Sequence, residues 1–412
     1  MTVNVQPVIA SLSPTSGLRG TTVTITGKGF TNGSTVSFGS QSPSVTFVSS
    51  SKLNITVPNT LSLPPGNTLV QVATNGQKSN TLNFNVLPIE VLTAVPGKLV
   101  INFAVIDFSH PSSPSMVKVN PPYAGQSVVT CNGSMIAVGN MNGPQVVLYD
   151  ISNPALPVPV GQPIVTPLAN ISAIKWNGSK ILAGESSGTG QQVVLIDVSN
   201  PTSPTVGAPV NACATIGNST QCITGIGSIG LSGSKAVVAG TNSQNIDIMD
   251  FTNPTQPTQS LLNPNLGTGL KAALDGTLAA VGPLSLGNAF MTVALVDITQ
   301  PAVVSQSTID ILGVTSISIK GSRVVAGSVN YTHVDLIDFT NRSSPNNVPY
   351  DPGLGGGWYV TLTSSRLALG NTNPTNLLPN VVLADPLVAP PLILGSQNPA
   401  FSPVSQVCIS DF

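Results

Sequence analysis

The chain alternates short apolar runs with polar turns, and one such phrase recurs seven times: an apolar strand, an Asp, then in most copies an apolar residue, Ser or Thr, Asn and Pro. Good copies are VVLYDISNP ending at Pro154, VVLIDVSNP at Pro201 and IDIMDFTNP at Pro254. The aligned aspartates are Asp107, Asp150, Asp197, Asp250, Asp297, Asp338 and Asp385, spaced 41 to 53 residues apart. A second pattern runs in phase with them: a strand, a Gly-Ser turn or a variant, then a strand ending in Gly, as in AIKWNGSKILAG and SISIKGSRVVAG. Each repeat therefore predicts four antiparallel strands, A to D, with the Asp at the end of C. A period of this length built from strands and turns predicts a β-propeller with one blade per repeat. No good A strand precedes Asp107, whereas VSQVCISDF at the C-terminus reads as an A strand with nothing after it. The last strand is expected to complete the first blade, so that seven blades close without open edges.

Residues 1–88 lack this repeat. Apolar residues alternate at Val23 and Ile25 and again at Val36 and Phe38, the period of half-buried strands, with Gly27, Gly29 and Asn75-Gly76 as turns. Two sheets packed face to face are the expected solution. The segment resembles the IPT/TIG family of immunoglobulin-like domains in Ser13-Pro14-x-Ser16-Gly17-x-x-Gly20, in Thr24-Ile25-x-Gly27-x-Gly29-Phe30 and in Ser79-Asn80 before the last strand. The resemblance implies a small β-sandwich serving as spacer or contact module, including self-association. The repeats of residues 89–412 resemble the LVIVD-type repeat of bacterial and archaeal surface proteins. That resemblance is clear at Asp150, Asp197, Asp250 and Asp297 and poor at Asp385. It implies a propeller on an exported protein and no shared catalytic activity. The fold class is thus all-β, a sandwich over 1–88 followed by a seven-bladed propeller over 89–412.

Composition narrows function. Only 7% of the 412 residues are charged and the net charge is −1. Neither nucleic acid nor an anionic membrane finds an electrostatic partner here. Apolar runs stop after four or five residues, so no helical membrane span is expected. The start shows no signal peptide, yet a surface of Ser, Thr, Asn and Gln points to an extracellular or cell-surface location. Among four cysteines, Cys213 and Cys222 bracket an insertion and form the candidate disulfide. Cys131 and Cys408 fall in neighbouring A strands and are expected as buried free thiols, with a bridge as the alternative.

The seven aspartates are read as turn caps that accept backbone N–H bonds, not as a metal or catalytic array. Gly184-Glu185-Ser186-Ser187-Gly188 matches a hydrolase pattern but should lie between strands, without the helix that the motif needs. Gly225 to Gly230 matches G-x-G-x-x-G before a strand, so no helix N-terminus is offered to a phosphate. No catalytic, cofactor or metal residue is therefore assigned. The B–C and D–A loops should share one face carrying Tyr123, Glu185, Tyr331, His333 and Trp358. These residues form a candidate face for a protein or glycan, or they pack between blades. A non-catalytic surface protein for adhesion, assembly or partner binding is the leading reading. The alternatives are a subunit of a filament, coat or virion, and a propeller enzyme of lactonase or lyase type.

Overall fold

The computed structural model describes residues 6–60, 63–96, 103–123, 125–186, 191–216, 219–284, 292–372, 381–387, 391–397 and 404–411, which form strands and turns. The chain separates into two compact units, Met1–Glu90 with Asp411–Phe412, and Val91–Ser410.

The first unit holds two four-stranded sheets. One runs Val8–Ser13, Thr22–Lys28, Lys52–Thr56, Val45–Ser49; the other runs Ser16–Gly17, Gln77–Val86, Gly66–Thr74, Thr35–Phe38. The alternation seen in the sequence fills one interior with Val23, Ile25, Val36, Phe38, Leu53, Val70, Val72 and Phe84. Phe38 and Phe84 meet edge to face at 5.3 Å, a favoured aromatic geometry. Ser79-Asn80 lies inside the last strand, not before it. Its amide ties the two sheets, accepting from Ile9 N at 2.9 Å and donating to Ile9 O at 3.0 Å.

Among the described residues the second unit contains seven antiparallel sheets that follow the repeat, six of four strands and one of five in which Thr205–Val206 and Val210–Asn211 both pair with Gln192–Asp197. Each ends its third strand in one of the repeated aspartates. We name each sheet by that residue. In order, the inner strands are Val404–Asp411 (Asp107 sheet), Ser127–Asn132, Ala173–Asn177, Ile226–Ser232, Leu270–Asp275, Ser316–Lys320 and Trp358–Leu362 (Asp385 sheet). The Asp107 sheet runs Ser115–Val119, Phe103–Asp107, Glu90–Pro96, Val404–Asp411, so the final strand lies beside an early one. Hairpin glycines 133, 178, 233, 276 and 321 all have φ of 55 to 60° as the first of two turn residues, the place a type II′ turn gives to glycine.

Inner strands have no ladder partner on their free side, and hydroxyls supply one. Thr130 Oγ1 accepts from Trp176 N, Ser228 Oγ from Ala272 N and Ser316 Oγ from Val360 N, at 3.0 to 3.1 Å. Thr361 Oγ1 donates to Val407 O at 2.7 Å and Gln406 Oε1 accepts from Val129 N at 2.7 Å. These bonds join Val404–Asp411 to the inner strands on both sides. Apolar clusters seal successive sheets. One of them packs Ala368, Val381 and Leu383 of the Asp385 sheet against Ala104, Ile106, Phe108, Val404 and Val407 of the Asp107 sheet.

Two disulfides are present, Cys213–Cys222 and Cys131–Cys408. The second corrects the expectation of free thiols at Cys131 and Cys408. Their inner strands are neighbours and bring the two Cα atoms to 5.8 Å, within bridging range.

Candidate functional site

All seven repeated aspartates cap the turn that follows them. The backbone N–H two residues on donates to the carboxylate at 2.8 to 2.9 Å in every sheet: Ser109 to Asp107, Ser152 to Asp150, Ser199 to Asp197, Thr252 to Asp250, Thr299 to Asp297, Thr340 to Asp338 and Leu387 to Asp385. Hydroxyl and backbone bonds from Ser199 and from Thr299 hold Asp197 and Asp297 below the usual carboxylate range. The column is structural, as its one-per-repeat spacing implies.

The residues assigned to the loop face divide. Trp358 is 0% exposed and opens an inner strand, with its indole Nε1 donating to Thr332 O at 2.8 Å. Glu185 is 4% exposed and accepts from Ala169 N at 2.8 Å. Both leave the candidate face: the first closes a loop onto its strand, and the second satisfies a backbone donor. Tyr123 is half-buried, shares a 3.2 Å hydrogen bond with Ser127 Oγ, and burial pushes its phenol well above the ordinary value. Tyr331 and His333 are partly exposed and meet edge to face at 5.6 Å. Of the hydrolase-like pattern, Ser187 and Gly188 lie outside the described residues. The G-x-G-x-x-G pattern runs into the strand Ile226–Ser232.

One polar constellation does form on the loop side. Asp310 follows the outer strand Ala302–Thr308 of the Asp297 sheet, and His333 and Asp335 stand at the start of the third strand of the Asp338 sheet. His333 Nε2 lies 2.8 Å from Asp310 Oδ1. Asp335 is 0% exposed; Asn347 Nδ2 donates to its Oδ1 at 2.6 Å, and its Oδ2 has no hydrogen-bond partner among the described residues. Burial, with the adjoining Asp310 carboxylate acting in the same sense, pushes the Asp335 carboxyl upward. One donor atom from each of the three residues falls within 4.8 Å of the other two.

The cluster was missed in the sequence, although a signal exists. Three residues before the capping Asp the chain carries Ala104, Val147, Val194, Ala294 and Val382 in five repeats, but Asp247 and Asp335 in the other two. Asp247 is also 0% exposed, and neither of its oxygens has a hydrogen-bond partner among the described residues. Burial pushes it up to about 7. Two inner-strand lysines were not singled out either. Burial lowers Lys175 and brings Lys271, whose Nζ donates to Gly227 O at 2.7 Å, down to about 8.

No helix among the described residues is long and apolar enough to cross a membrane. The IPT/TIG domain family matches residues 7–86, and the LVIVD repeat family matches residues 101–119 and 189–211. No curated protein matches the chain. Among solved structures, apo AztD from Citrobacter koseri is 9% identical, with 79% of this chain and 98% of that one covered and a TM-score of 0.54. A protein from Lactobacillus plantarum is 10% identical, with 79% and 100% covered and a TM-score of 0.54. At such identity the likeness concerns the fold, which is β-propeller-like. The chain joins an IPT/TIG domain to LVIVD repeats on an all-β scaffold.

Proposed function

We propose that the protein is a non-catalytic extracellular or cell-surface component, a sandwich domain joined to a seven-bladed propeller closed by its C-terminal strand, that works by adhesion or partner binding. The observation that carries the reading is the pairing of an IPT/TIG domain with LVIVD repeats in one chain. Two disulfides support an oxidising compartment. The bonds that Val404–Asp411 makes on both sides support the closed ring. The loop side, with Tyr331 and His333, is the face proposed for a protein or glycan, because the other side consists of tight capped turns. Only 14 basic and 15 acidic residues are present, so binding should depend little on salt.

A second reading, a subunit of a filament or coat, is favoured by apolar residues exposed on outer strands, among them Val158, Val165, Val348 and Leu392. The test is binding of the purified protein to intact cells and cell-envelope fractions of its source. Saturable, salt-insensitive binding that weakens in Tyr331→Ala is expected. Confinement of the protein to the cytoplasm, or turnover of a lactone or ester panel, would overturn the proposal. Regular polymers in concentrated solution would favour the second reading.

A further inference from the structure

We infer that Asp310, His333 and Asp335 form a binding site for one divalent transition-metal ion of the zinc type, at the seam between the Asp297 and Asp338 sheets. Four observations carry this. The first is the donor set. An imidazole nitrogen and two carboxylate oxygens are ligands that zinc and its neighbours take together. The three donor atoms already lie within 4.8 Å of one another. With metal–ligand bonds of about 2.0–2.2 Å, a tetrahedral site needs donors about 3.4 Å apart. His333 Nε2 and Asp310 Oδ1, now 2.8 Å apart, would part by a few tenths of an ångström, and Asp310 is exposed enough to move, at 53%.

The second observation is the buried carboxylate oxygen. Asp335 is fully buried and its Oδ2 has no partner among the described residues, a costly arrangement that a cation resolves. The third is the support. Asn347 holds the other oxygen of Asp335 and also donates to Thr308 O at 3.1 Å, which ties the carboxylate to the strand leading to Asp310. Outer partners of this kind orient metal ligands. The fourth is charge. Two carboxylates face one imidazole, and among the described residues no lysine or arginine pairs with either of them.

His333 and Asp335 are two apart in an extended segment, so both side chains leave the same face. The Asp250 sheet supplies the contrast. It has the buried carboxylate, Asp247, but Asn245 stands where His333 stands, and no metal-ligating cluster forms around it among the described residues. Three protein ligands leave at least one coordination position for water or for an oxygen of a partner, on the side where Asp310 is open. This revises the expectation that the chain has no metal residue.

The test is calorimetric titration of the chelator-treated full-length protein with ZnCl2, and of the variants Asp310→Asn, His333→Gln and Asp335→Asn. The wild type should bind one ion per chain. Each variant should weaken binding at least about tenfold, the loss that even an outer-shell partner causes. Co²⁺ should give a visible absorption band of low-symmetry coordination that zinc bleaches. Asp310 is exposed, so Asp310→Asn keeps the fold even if Asp335→Asn does not, and far-ultraviolet circular dichroism checks each variant. Absence of stoichiometric binding of Zn²⁺ and Co²⁺, as a proton-sharing carboxyl pair would give, overturns the inference. Binding unchanged in folded Asp310→Asn and His333→Gln overturns it equally. Neither outcome bears on whether the loop side binds a protein or glycan.

Discussion

Removing the Cys131–Cys408 bridge should cost the second unit more stability than removing Cys213–Cys222. The two bridges differ chiefly in the chain they enclose, 277 residues of sequence separation against 9. In the chain-entropy treatment a cross-link removes about 2.1 + 1.5R ln n cal/mol/K from the unfolded ensemble. At 25 °C this gives about 5 to 6 kcal/mol for the long loop and about 2.5 kcal/mol for the short one. The short hairpin carries its own ladder, Cys213 opposite Cys222 and Thr215 opposite Thr220, and lies outside the inner strands. The long bridge joins two inner strands whose side-chain bonds already link the last strand to Ser127–Asn132. The assay is urea unfolding of wild type, Cys131→Ala/Cys408→Ala and Cys213→Ala/Cys222→Ala, followed by circular dichroism without reductant, with dithiothreitol-treated wild type as the cavity-free control. The midpoint should fall most in the first pair and in the reduced protein. An unchanged midpoint in Cys131→Ala/Cys408→Ala, or a smaller shift than in the other pair, would refute both the bridge and the reasoning that the last strand seals the unit.

Asp247 titrates at about 7 when folded against an ordinary 3.8. The folded state therefore holds the proton more tightly, and stability falls as pH rises from about 4 through 7, by about 4 kcal/mol in all. Asp247→Asn should remove most of that slope in denaturation measured at pH 5, 7 and 8.5, leaving the part that buried Asp335 contributes in the same direction, and an equally steep slope in the variant would sink the assignment. Asp197, Asp250, Asp297 and Asp338 are held low when folded. Their contribution is present above about pH 4 and lost below it, so acid should destabilise the protein, and Asp297→Ala should cost about 1 kcal/mol at neutral pH and less at pH 3. A Cβ on Gly27 would meet Val8 O at 2.0 Å and the Phe30 ring at 2.6 Å. Gly27→Ala should therefore lower the stability of the first unit by about 2 kcal/mol and leave the second unit's transition in place, and coincident loss of both would be inconsistent with independent units.

Much of the fold was legible because its determinants are local. The Asp and the residue two beyond it are near neighbours, and the Gly of the hairpin turn lies 17 to 21 positions earlier in the same repeat, so each repeat announces its own strands and turns. The sandwich was legible for the same reason, through the alternation at Val23, Ile25, Val36 and Phe38. What failed was non-local. Trp358 follows a glycine run that reads as an exposed loop, but its indole is captured by Thr332 O, 26 residues earlier. Cys131 and Cys408 were placed in neighbouring strands, yet whether two thiols meet depends on Cα separation, which strand assignment does not supply. The Asp310 cluster draws on two loops and on one strand position that departs from the repeat. A repeated sequence hides its sites in the places where one copy breaks the pattern. The sequence of Asp335 carried that signal, but Asp247 carries it too, and only the companion histidine separates them.

The bridge also sets how the second unit would answer a pull. Tension entering at Glu90 and leaving at Asp411 meets the covalent link after 41 residues, at Cys131, and passes straight to Cys408. The 277-residue stretch between them is bypassed. The oxidised unit can lengthen by about 150 Å at most, whereas the reduced unit can pay out about 1100 Å, taking about 3.5 Å for each extended residue. Five of the seven sheets thus stay wholly off the load path under oxidising conditions, and only the strands between Val91 and Cys131, the last of them the inner strand of the Asp150 sheet, and the end of the final strand can be drawn out. A thiol reductant would turn a short, stiff tether into a long, ductile one.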